Sequence, residues 1–244
     1  MFKNTKSLYA PFLVLLLLVA TFFVGRLSAQ VDQYKGGGSG VAENTNPGAA
    51  APTTESKISV PALKTIAKGL GLNTGDFNKC LDSGTFENKV KEESAEGQSR
   101  GVTGTPSFFI NGILIVGSLP QSDFEAVIDA ELKNGTGDKA KISSGETLKR
   151  QKIAYGTGYV EGGKNAKVKI MEYTDFECPY CTRAFPTIEA LLSKYGENIS
   201  LEYRSFPLSF HPNAQKAAEA ALCAGEQGKL WEMHDKMFEV MAQQ

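Results

Sequence analysis

The chain has 244 residues, of which 41% are hydrophobic and 22% are charged, and its formal net charge is −1. This composition excludes a fibrous or wholly disordered chain. A charge near zero without a long run of lysine or arginine also argues against a nucleic-acid-binding protein, which needs a concentrated positive face, so proteins are the expected partners.

The N-terminal segment is apolar and uncharged over residues 7–25 and follows Lys3 and Lys6. A helix of this length spans roughly 28 Å, close to the hydrocarbon core of a bilayer. We therefore predict a single-pass membrane anchor within residues 1–27, with the rest of the chain outside the cytoplasm because the lysines favour the cytoplasmic side. The alternative is a signal peptide cleaved near residues 27–29, which would leave the protein secreted or periplasmic.

Residues 28–56 are predicted to form a flexible linker. The glycine-rich stretch 36–40 is followed by Asn, Ala, Pro and Thr, with very few large apolar side chains. Such a segment cannot bury enough apolar surface to fold. The folded domain is therefore expected to span residues 57–244.

Three helices are predicted at the start of this domain. The first shows apolar residues at i, i+3, i+4 and i+7 from Leu63 to Leu70, which is typical of an amphipathic helix. The second runs through Phe77 to Gly84, and the third, more polar, runs from Phe86 to about Gln98.

A hairpin and a fourth helix complete the part that ends at residue 133. Asn111-Gly112 stands between two apolar runs, which is the pattern of a two-residue hairpin turn. Ser122 with Glu125 three residues later predicts a capping box at the start of the fourth helix.

Residues 134–158 are rich in Gly, Lys, Ser and Thr and show little periodicity, so we expect a second linker. The remaining part, residues 159–244, is predicted to form a strand, a helix, a strand and two helices. These cover Val168–Tyr173, Thr182–Tyr195, Ile199–Phe206, residues 212–225 and residues 229–242.

The motif Cys178-Pro179-Tyr180-Cys181 stands where a predicted strand leads into a helix. The first thiol then lies at the helix N-terminus, where unpaired N–H groups and the helix dipole favour a thiolate. We predict Cys178 as the nucleophile and Cys181 as the thiol that resolves a mixed disulfide, while Pro179 suits the first helical turn. Incidental cysteines or a purely structural disulfide are alternatives. A zinc site is disfavoured because a second paired cysteine spacing is missing and the chain has two histidines.

Several segments resemble the DsbA-like thioredoxin family. The resemblance is carried by residues 168–181, which end in the cysteine motif, and by residues 206–215 and 231–235. Residues 104–112 are similar to the family's loop with a cis-proline. The resemblance implies an α/β, thioredoxin-like fold with an inserted helical subdomain.

The same resemblance assigns roles in substrate binding. Pro106 would be the cis-proline facing the dithiol, and Thr105, Pro179 and Tyr180 would contact the substrate. A trans proline before a strand is the ordinary alternative for this sequence pattern.

Glu172 stands six residues before Cys178 in an apolar strand and matches the position of the family's buried acid. Partial desolvation there would raise its pKa and allow it to move the proton of Cys181. A solvent-facing glutamate is the alternative.

Cys80 and Cys223 lie on predicted helices in different halves. An even number of cysteines in an exported protein favours pairing, and similar family members carry a structural disulfide between matching helices. Two buried thiols are the alternative. His211, Trp231 and His234 are interpreted as capping, packing or core residues.

The two halves stand in the opposite order from the family, in which the dithiol half comes first. Here the cis-proline half (57–133) precedes the dithiol half (159–244). We interpret this order as a circular permutation, in which the chain after Gln244 would continue naturally into Lys57. A gene fragment or a domain-swapped dimer is the alternative.

The resemblance implies a thiol-disulfide oxidoreductase that needs no metal or organic cofactor, since its disulfide carries the electrons. The leading expectation is an oxidase that acts on reduced exported proteins and is reoxidised by a membrane quinone-linked protein. A disulfide isomerase or reductase, or a non-catalytic tethered protein-binding module, is the alternative. The motif does not separate them because the direction of exchange depends on the reduction potential.

Overall fold

The computed structural model describes residues 56–243, which belong to the structural unit Thr54–Gln244. The predicted membrane anchor (residues 1–27) and all but the last residue of the predicted linker (28–56) lie outside the described residues. Within residues 56–243, no helix combines the length and the apolar character needed to cross a bilayer.

The described region follows the predicted order of elements, with the addition of a short strand, β3, that the pattern did not predict. The first part comprises Val60–Gly69 (α1), Thr74–Asp82 (α2), Glu87–Ser99 (α3), Ser107–Ile110 (β1), Ile113–Val116 (β2) and Gln121–Asn134 (α4). The second part comprises Val160–Gly162 (β3), Val168–Thr174 (β4), Pro179–Tyr195 (α5), Ile199–Ser205 (β5), Ala214–Gly225 (α6) and Leu230–Ala242 (α7). Short 3₁₀ turns occur at Gly137–Lys139 and Gly196–Asn198.

Both parts contribute strands to one mixed sheet, whose order among the described residues is β2-β1-β4-β5-β3. Strand β4 runs parallel to β5 and antiparallel to β1. The hairpin that follows Pro106 therefore lies beside the strand that leads to Cys178. This mixed sheet with its helices fits the expected thioredoxin-like fold.

Alternate side chains of β4 enter different cores, as strand geometry requires. Val168 and Ile170 pack in a cluster with apolar residues of α4 and α5, whereas Met171 and Tyr173 lie in a smaller cluster on the opposite face. Helix α3 approaches this second face closely. A Cβ added at Gly97 would come within 2.8 Å of the Tyr173 ring, so this approach depends on glycine.

The hairpin turn has the predicted conformation. Asn111 and Gly112 both have positive φ angles, of 47° and 86°, which is the requirement of the two-residue turn that matches strand twist. A side chain at Gly112 would also meet the Gln151 carbonyl oxygen, at 2.0 Å from the added Cβ.

The predicted capping box at Ser122 and Glu125 is wrong. Helix α4 begins at Gln121 with Pro120 as its N-cap, and no side chain caps it. Pro120 already supplies the extended backbone that starts the helix, with φ −55° and ψ 145°. Ser122 consequently lies inside the first turn, and Glu125 instead pairs with Lys194 at 2.7 Å.

Residues 134–158, which we call the strap, are packed against the domain although they form little regular structure. Ile142 and Leu148 are each only 7% exposed. The Arg150 guanidinium pairs with the buried Glu131 carboxylate at 2.6 Å. The predicted second linker is therefore an ordered connection over much of its length.

The end of the strap is held by a buried ion pair on β5. Glu202 and Arg204 are 2% and 1% exposed, and their charged groups lie 2.7 Å apart. The Glu202 carboxylate also accepts hydrogen bonds from the backbone N–H groups of Gly156, Thr157 and Gly158, at 2.7, 3.1 and 2.8 Å. Buried charges are tolerated when they are satisfied in this way, and here they fix the chain just before β3.

Helices from the two ends of the described region are joined to each other. A disulfide connects Cys80 of α2 to Cys223 of α6, which is 143 residues later in the sequence. The Lys57 ammonium donates a hydrogen bond to the Gln243 carbonyl oxygen over 3.0 Å. The first and last parts of the described chain are therefore neighbours in space.

Candidate redox site at Cys178 and Cys181

The turn between β4 and α5 places the first thiol of the motif at a helix N-terminus. Helix α5 begins at Pro179, with Cys178 as its N-cap residue. The Cys178 N–H donates to the Asp175 carbonyl oxygen over 3.1 Å. The Asp175 carboxylate in turn accepts from the N–H groups of Glu177 and Leu208, each at 2.8 Å. These bonds hold the turn in the conformation that presents Cys178 to the helix end.

A loop after β5 packs against this turn. His211 Nδ1 lies 2.8 Å from the Asp175 carboxylate, and the Glu177 carboxylate accepts from the Asn213 side chain at 2.7 Å. The loop exposes 73% of Phe210. The sequence shows the two acidic residues that flank Phe176, but it does not predict their hydrogen-bond partners. These partners lie more than thirty residues further along the chain.

The two thiols are unpaired and have different environments. Cys178 is 3% exposed and Cys181 is fully buried. Interaction with the Cys181 thiol lowers the pKa of Cys178 to about 5, helped by Thr105 and the N–H groups of Tyr180 and Cys181 and opposed by burial. Burial raises the pKa of Cys181 well above its usual value, and the neighbouring Cys178 adds to this. At neutral pH the pair thus offers one thiolate and one protonated thiol.

We predict that iodoacetamide modifies Cys178 with a pH midpoint near 5, because only the thiolate reacts. Cys181 should stay unmodified in the folded protein. The measurement is peptide mass spectrometry after short alkylation pulses across pH 4–9. A midpoint near the free-thiol value of about 8.5, or faster modification of Cys181, would contradict the assignment.

The loop before β1 covers the reactive thiol. The Thr105–Pro106 peptide bond is cis, and the Thr105 carbonyl oxygen lies 3.4 Å from Cys178 Sγ within the same chain. The Thr105 hydroxyl is buried and has no hydrogen-bond partner among the described residues. It is therefore free to donate to a thiolate. Pro179 and Tyr180 are exposed on the helix side of the same thiol, Tyr180 by 55%.

Glu172 lies inside the protein, 3% exposed, on β4. Burial raises the pKa of its carboxyl, and the nearby His234 and Thr174 oppose this shift in part. The solvent-facing alternative for Glu172 is thus not what the structure has. In the described region, no group of three or more His, Cys, Asp or Glu side chains is arranged to hold a metal ion.

Two family models match different parts of this chain. A model described as a DSBA-like thioredoxin domain matches residues 50–129, and one described as thioredoxin matches residues 154–244. The matches fall on the part with the cis-proline and the part with the dithiol, respectively, which the structure combines in one sheet.

Curated relatives share a shorter stretch with this chain. The Na(+)/H(+) antiporter NhaA 1 of Salinispora arenicola is 51% identical over 78 residues, which is 32% of this chain and 12% of the antiporter. NhaA 3 of Salinispora tropica is 50% identical over 78 residues, again 32% and 12% of the two chains. NhaA of Herminiimonas arsenicoxydans is 32% identical over 80 residues, or 33% of this chain and 13% of the antiporter. The chain thus spans only about an eighth of the length of these relatives.

The dithiol at a helix N-terminus, the adjoining cis-proline loop and the mixed sheet agree with both family matches. The chain belongs to the DsbA-like thioredoxin fold family.

Proposed function

We propose that this protein is an extracytoplasmic thiol-disulfide oxidase that introduces disulfides into reduced exported proteins. The observation that carries the proposal is the lowered pKa of Cys178, about 5, beside the Thr105–Pro106 loop. A thiol held as a thiolate stabilises the reduced dithiol and makes the disulfide a stronger oxidant.

The reaction proceeds by two exchanges at the dithiol. A client thiolate attacks Cys178 Sγ of the disulfide, an S–S bond forms to the client, and Cys181 leaves as a thiolate that takes up a proton. A second client thiolate then attacks the client sulfur of the mixed disulfide, and Cys178 leaves as a thiolate. The client loses two electrons and the dithiol gains them. We assign Glu172 as the group that supplies and removes the Cys181 proton.

The client is proposed to bind across the two sides of Cys178. The Thr105–Pro106 loop offers backbone on one side, and Pro179 and Tyr180 offer exposed apolar surface on the other. Phe210 is a further exposed aromatic side chain, on the loop that packs on the turn before Cys178. Large aromatic side chains of this kind suit the apolar segments of an incompletely folded client.

Regeneration requires an external oxidant, for which we propose a membrane quinone-linked protein. No metal or organic cofactor is proposed. We propose attachment to the membrane through residues 7–25, or release to the periplasm or the exterior if the segment is cleaved. The similarity to the antiporters covers too little of their length to support ion transport by this chain.

We further propose that residues 57–244 are a circularly permuted DsbA-like domain with an inserted helical subdomain. Support comes from the contact between Lys57 and Gln243, since a chain with the halves in the family order would need a connection at that place. Support also comes from the short distance between Cys178 and Thr105 within one chain, which a domain swap does not require.

The oxidase direction predicts that the reduced protein is more stable than the oxidised one at pH 7. The pKa of Cys178 is about 5 in the folded reduced protein and about 8.5 in an unfolded chain. A lowered folded pKa adds stability that is fully present above about pH 8.5 and is lost as pH falls through 5. The raised pKa of Cys181 acts only at higher pH, where an unfolded thiol would ionise.

The measurement is urea unfolding of both redox forms between pH 4 and 8. The difference should favour the reduced form at pH 7 and shrink towards pH 5. Greater stability of the oxidised form would favour a reductase. Nearly equal stability of the two forms would favour an isomerase. If the protein binds reduced clients without exchanging disulfides, the tethered binding module replaces the oxidase.

A further inference from the structure

A histidine lies in the core on the side of the sheet that carries Glu172. His234 of α7 is 2% exposed. Five aromatic rings surround it, with ring centroids 4.9 to 6.0 Å away. They belong to Phe176, Phe185, Tyr203, Trp231 and Phe238. An apolar ring would pack in this place without the cost of burying two ring nitrogens.

The two nitrogens of His234 differ in their partners. Nδ1 lies 2.8 Å from the Asp235 carboxylate, and since a carboxylate accepts, Nδ1 carries a hydrogen. Nε2 is buried and has no hydrogen-bond partner among the described residues. A buried polar atom without a partner costs on the order of 1–3 kcal/mol and requires an explanation.

Strand pairing places Glu172 beside this ring. Glu172 and Tyr203 are opposed in the parallel pair of β4 and β5, so their side chains lie on the same face of the sheet. The Tyr203 ring centroid is 5.9 Å from that of His234. His234 therefore packs against the strand neighbour of Glu172 on the same face of the sheet, and it is the strongest of the influences that lower the pKa of this carboxyl against its burial.

Thr174 connects Glu172 to the buried thiol. It lies two residues after Glu172 on the same face of β4, and its hydroxyl is buried without a hydrogen-bond partner in the described region. The same side chain acts on the pKa of both Glu172 and Cys181. The carboxyl and the thiol are thus both neighbours of one hydroxyl.

We propose that His234 is a positioning residue that exchanges a proton with Glu172, and so links the buried Cys181 to solvent through Asp235. This inference rests on the proposed exchange chemistry and extends it to the route of the proton. Asp235 is suited to the outer end of the route because its side chain is 33% exposed.

When Cys181 resolves a mixed disulfide, its proton moves in the following steps. The Cys181 proton passes to Glu172 as the sulfur attacks Cys178, the disulfide forms and the bound thiol leaves as a thiolate. Glu172 gives its proton to Nε2 of His234, and the ring releases the Nδ1 proton to Asp235, which exchanges it with water. The client exchange uses the same route in reverse.

Other ionisable side chains face the same region and belong to different elements. Glu161 lies on β3 and Glu189 on α5, and the pKa of each is raised by burial. Both interact with His234 and Asp235, and Glu161 also interacts with Glu232. The ionisable side chain of Tyr203, on β5, also contacts the His234 ring. Each variant is therefore compared with wild type over the same pH range.

The test uses the full chain and oxidised glutathione as the probe. Reduced protein is mixed with excess oxidised glutathione, quenched with acid at set times, and the mixed disulfide on Cys178 is quantified by mass spectrometry from pH 5 to 9. We expect His234→Phe to accumulate the mixed disulfide because resolution slows by about 100-fold, the low end for proton-transfer groups. The pH dependence of resolution should also change, while the alkylation midpoint of Cys178 stays at its wild-type value.

Phe238→Leu is the matched control, since it removes a ring in contact with His234 at 4.9 Å but no proton-carrying group. An unchanged rate and pH profile in His234→Phe would overturn the proposal, as would equal slowing in both variants with the wild-type pH profile. If His234→Phe does not fold, the second measurement is the imidazole ¹⁵N chemical shift of His234, with and without Glu172→Gln. The proposal expects these shifts to change, and unchanged shifts would overturn it. Failure to oxidise reduced client proteins would defeat the proposed function alone, because the glutathione assay needs no client.

Discussion

Replacing Cys178 with serine should reduce disulfide transfer to the uncatalysed rate. The serine hydroxyl is not ionised near neutral pH and cannot form the mixed disulfide through which exchange proceeds. The structure gives no second thiolate that could substitute, because burial raises the pKa of Cys181 and Cys80 is bonded to Cys223. The measurement is the loss of free thiols from a reduced two-cysteine peptide, with oxidised glutathione as the final oxidant.

Cys181→Ser is the matched control for this substitution. It keeps the nucleophile at the helix N-terminus but removes the resolving sulfur, so a stable mixed disulfide between Cys178 and a single-cysteine peptide should accumulate, because that peptide has no second thiol to release it. Mass spectrometry distinguishes the two variants directly. Substantial activity in Cys178→Ser, or a mixed disulfide located on Cys181 of wild type, would reverse the roles assigned to the two thiols.

Removing the Cys80–Cys223 bridge with a double alanine substitution should lower the free energy of unfolding by about 2–5 kcal/mol. The bridge closes a loop between residues that are 143 positions apart, and long loops lose much entropy in the unfolded chain when they are closed. It also joins helices from opposite ends of the described region. Urea unfolding monitored by far-ultraviolet circular dichroism measures the change, in a Cys178→Ser, Cys181→Ser background that prevents thiol exchange.

A second bridge variant that keeps Cys178 and Cys181 should retain exchange activity at urea concentrations below its transition, since the Cys80–Cys223 disulfide is not bonded to the redox pair. A change in stability below about 1 kcal/mol would show that strong residual structure in the unfolded state compensates for the lost constraint. Loss of activity with unchanged stability would instead point to a redox role for this pair.

Local patterns predicted most of the elements of this fold. The helical periodicity after residue 57 and the Asn111-Gly112 turn depend on neighbouring residues, and the structure has both. The position of Cys178 at a helix N-terminus follows from a strand and a helix adjacent in sequence. The approach of Thr105 to Cys178 required the family resemblance, because 73 residues separate the two.

The parts that were not predicted depend on contacts between distant residues. The strap has no periodicity, and its end is held by the ion pair of Glu202 and Arg204 on a strand that follows it by more than forty residues. The capping box failed for a local reason. Ser122 and Glu125 have the right spacing, but the helix begins earlier, with Pro120 as its N-cap, so Ser122 lies inside the helix. His234 was interpreted as a core residue, and its burial agrees, but its relation to Glu172 appears only when β4, β5 and α7 are together.

The disulfide between Cys80 and Cys223 turns the working part of the molecule into a covalent ring. Both sides of the redox site lie between these cysteines along the chain, and so does the entire strap. A protease that cut the exposed stretch 143–147 would open the backbone once, yet the two fragments would stay linked through the sulfur bridge. Pro106 and Cys178 would then reside on different polypeptides that cannot diffuse apart. A protein built in this way tolerates a nick at this exposed connection without losing either half of its redox site.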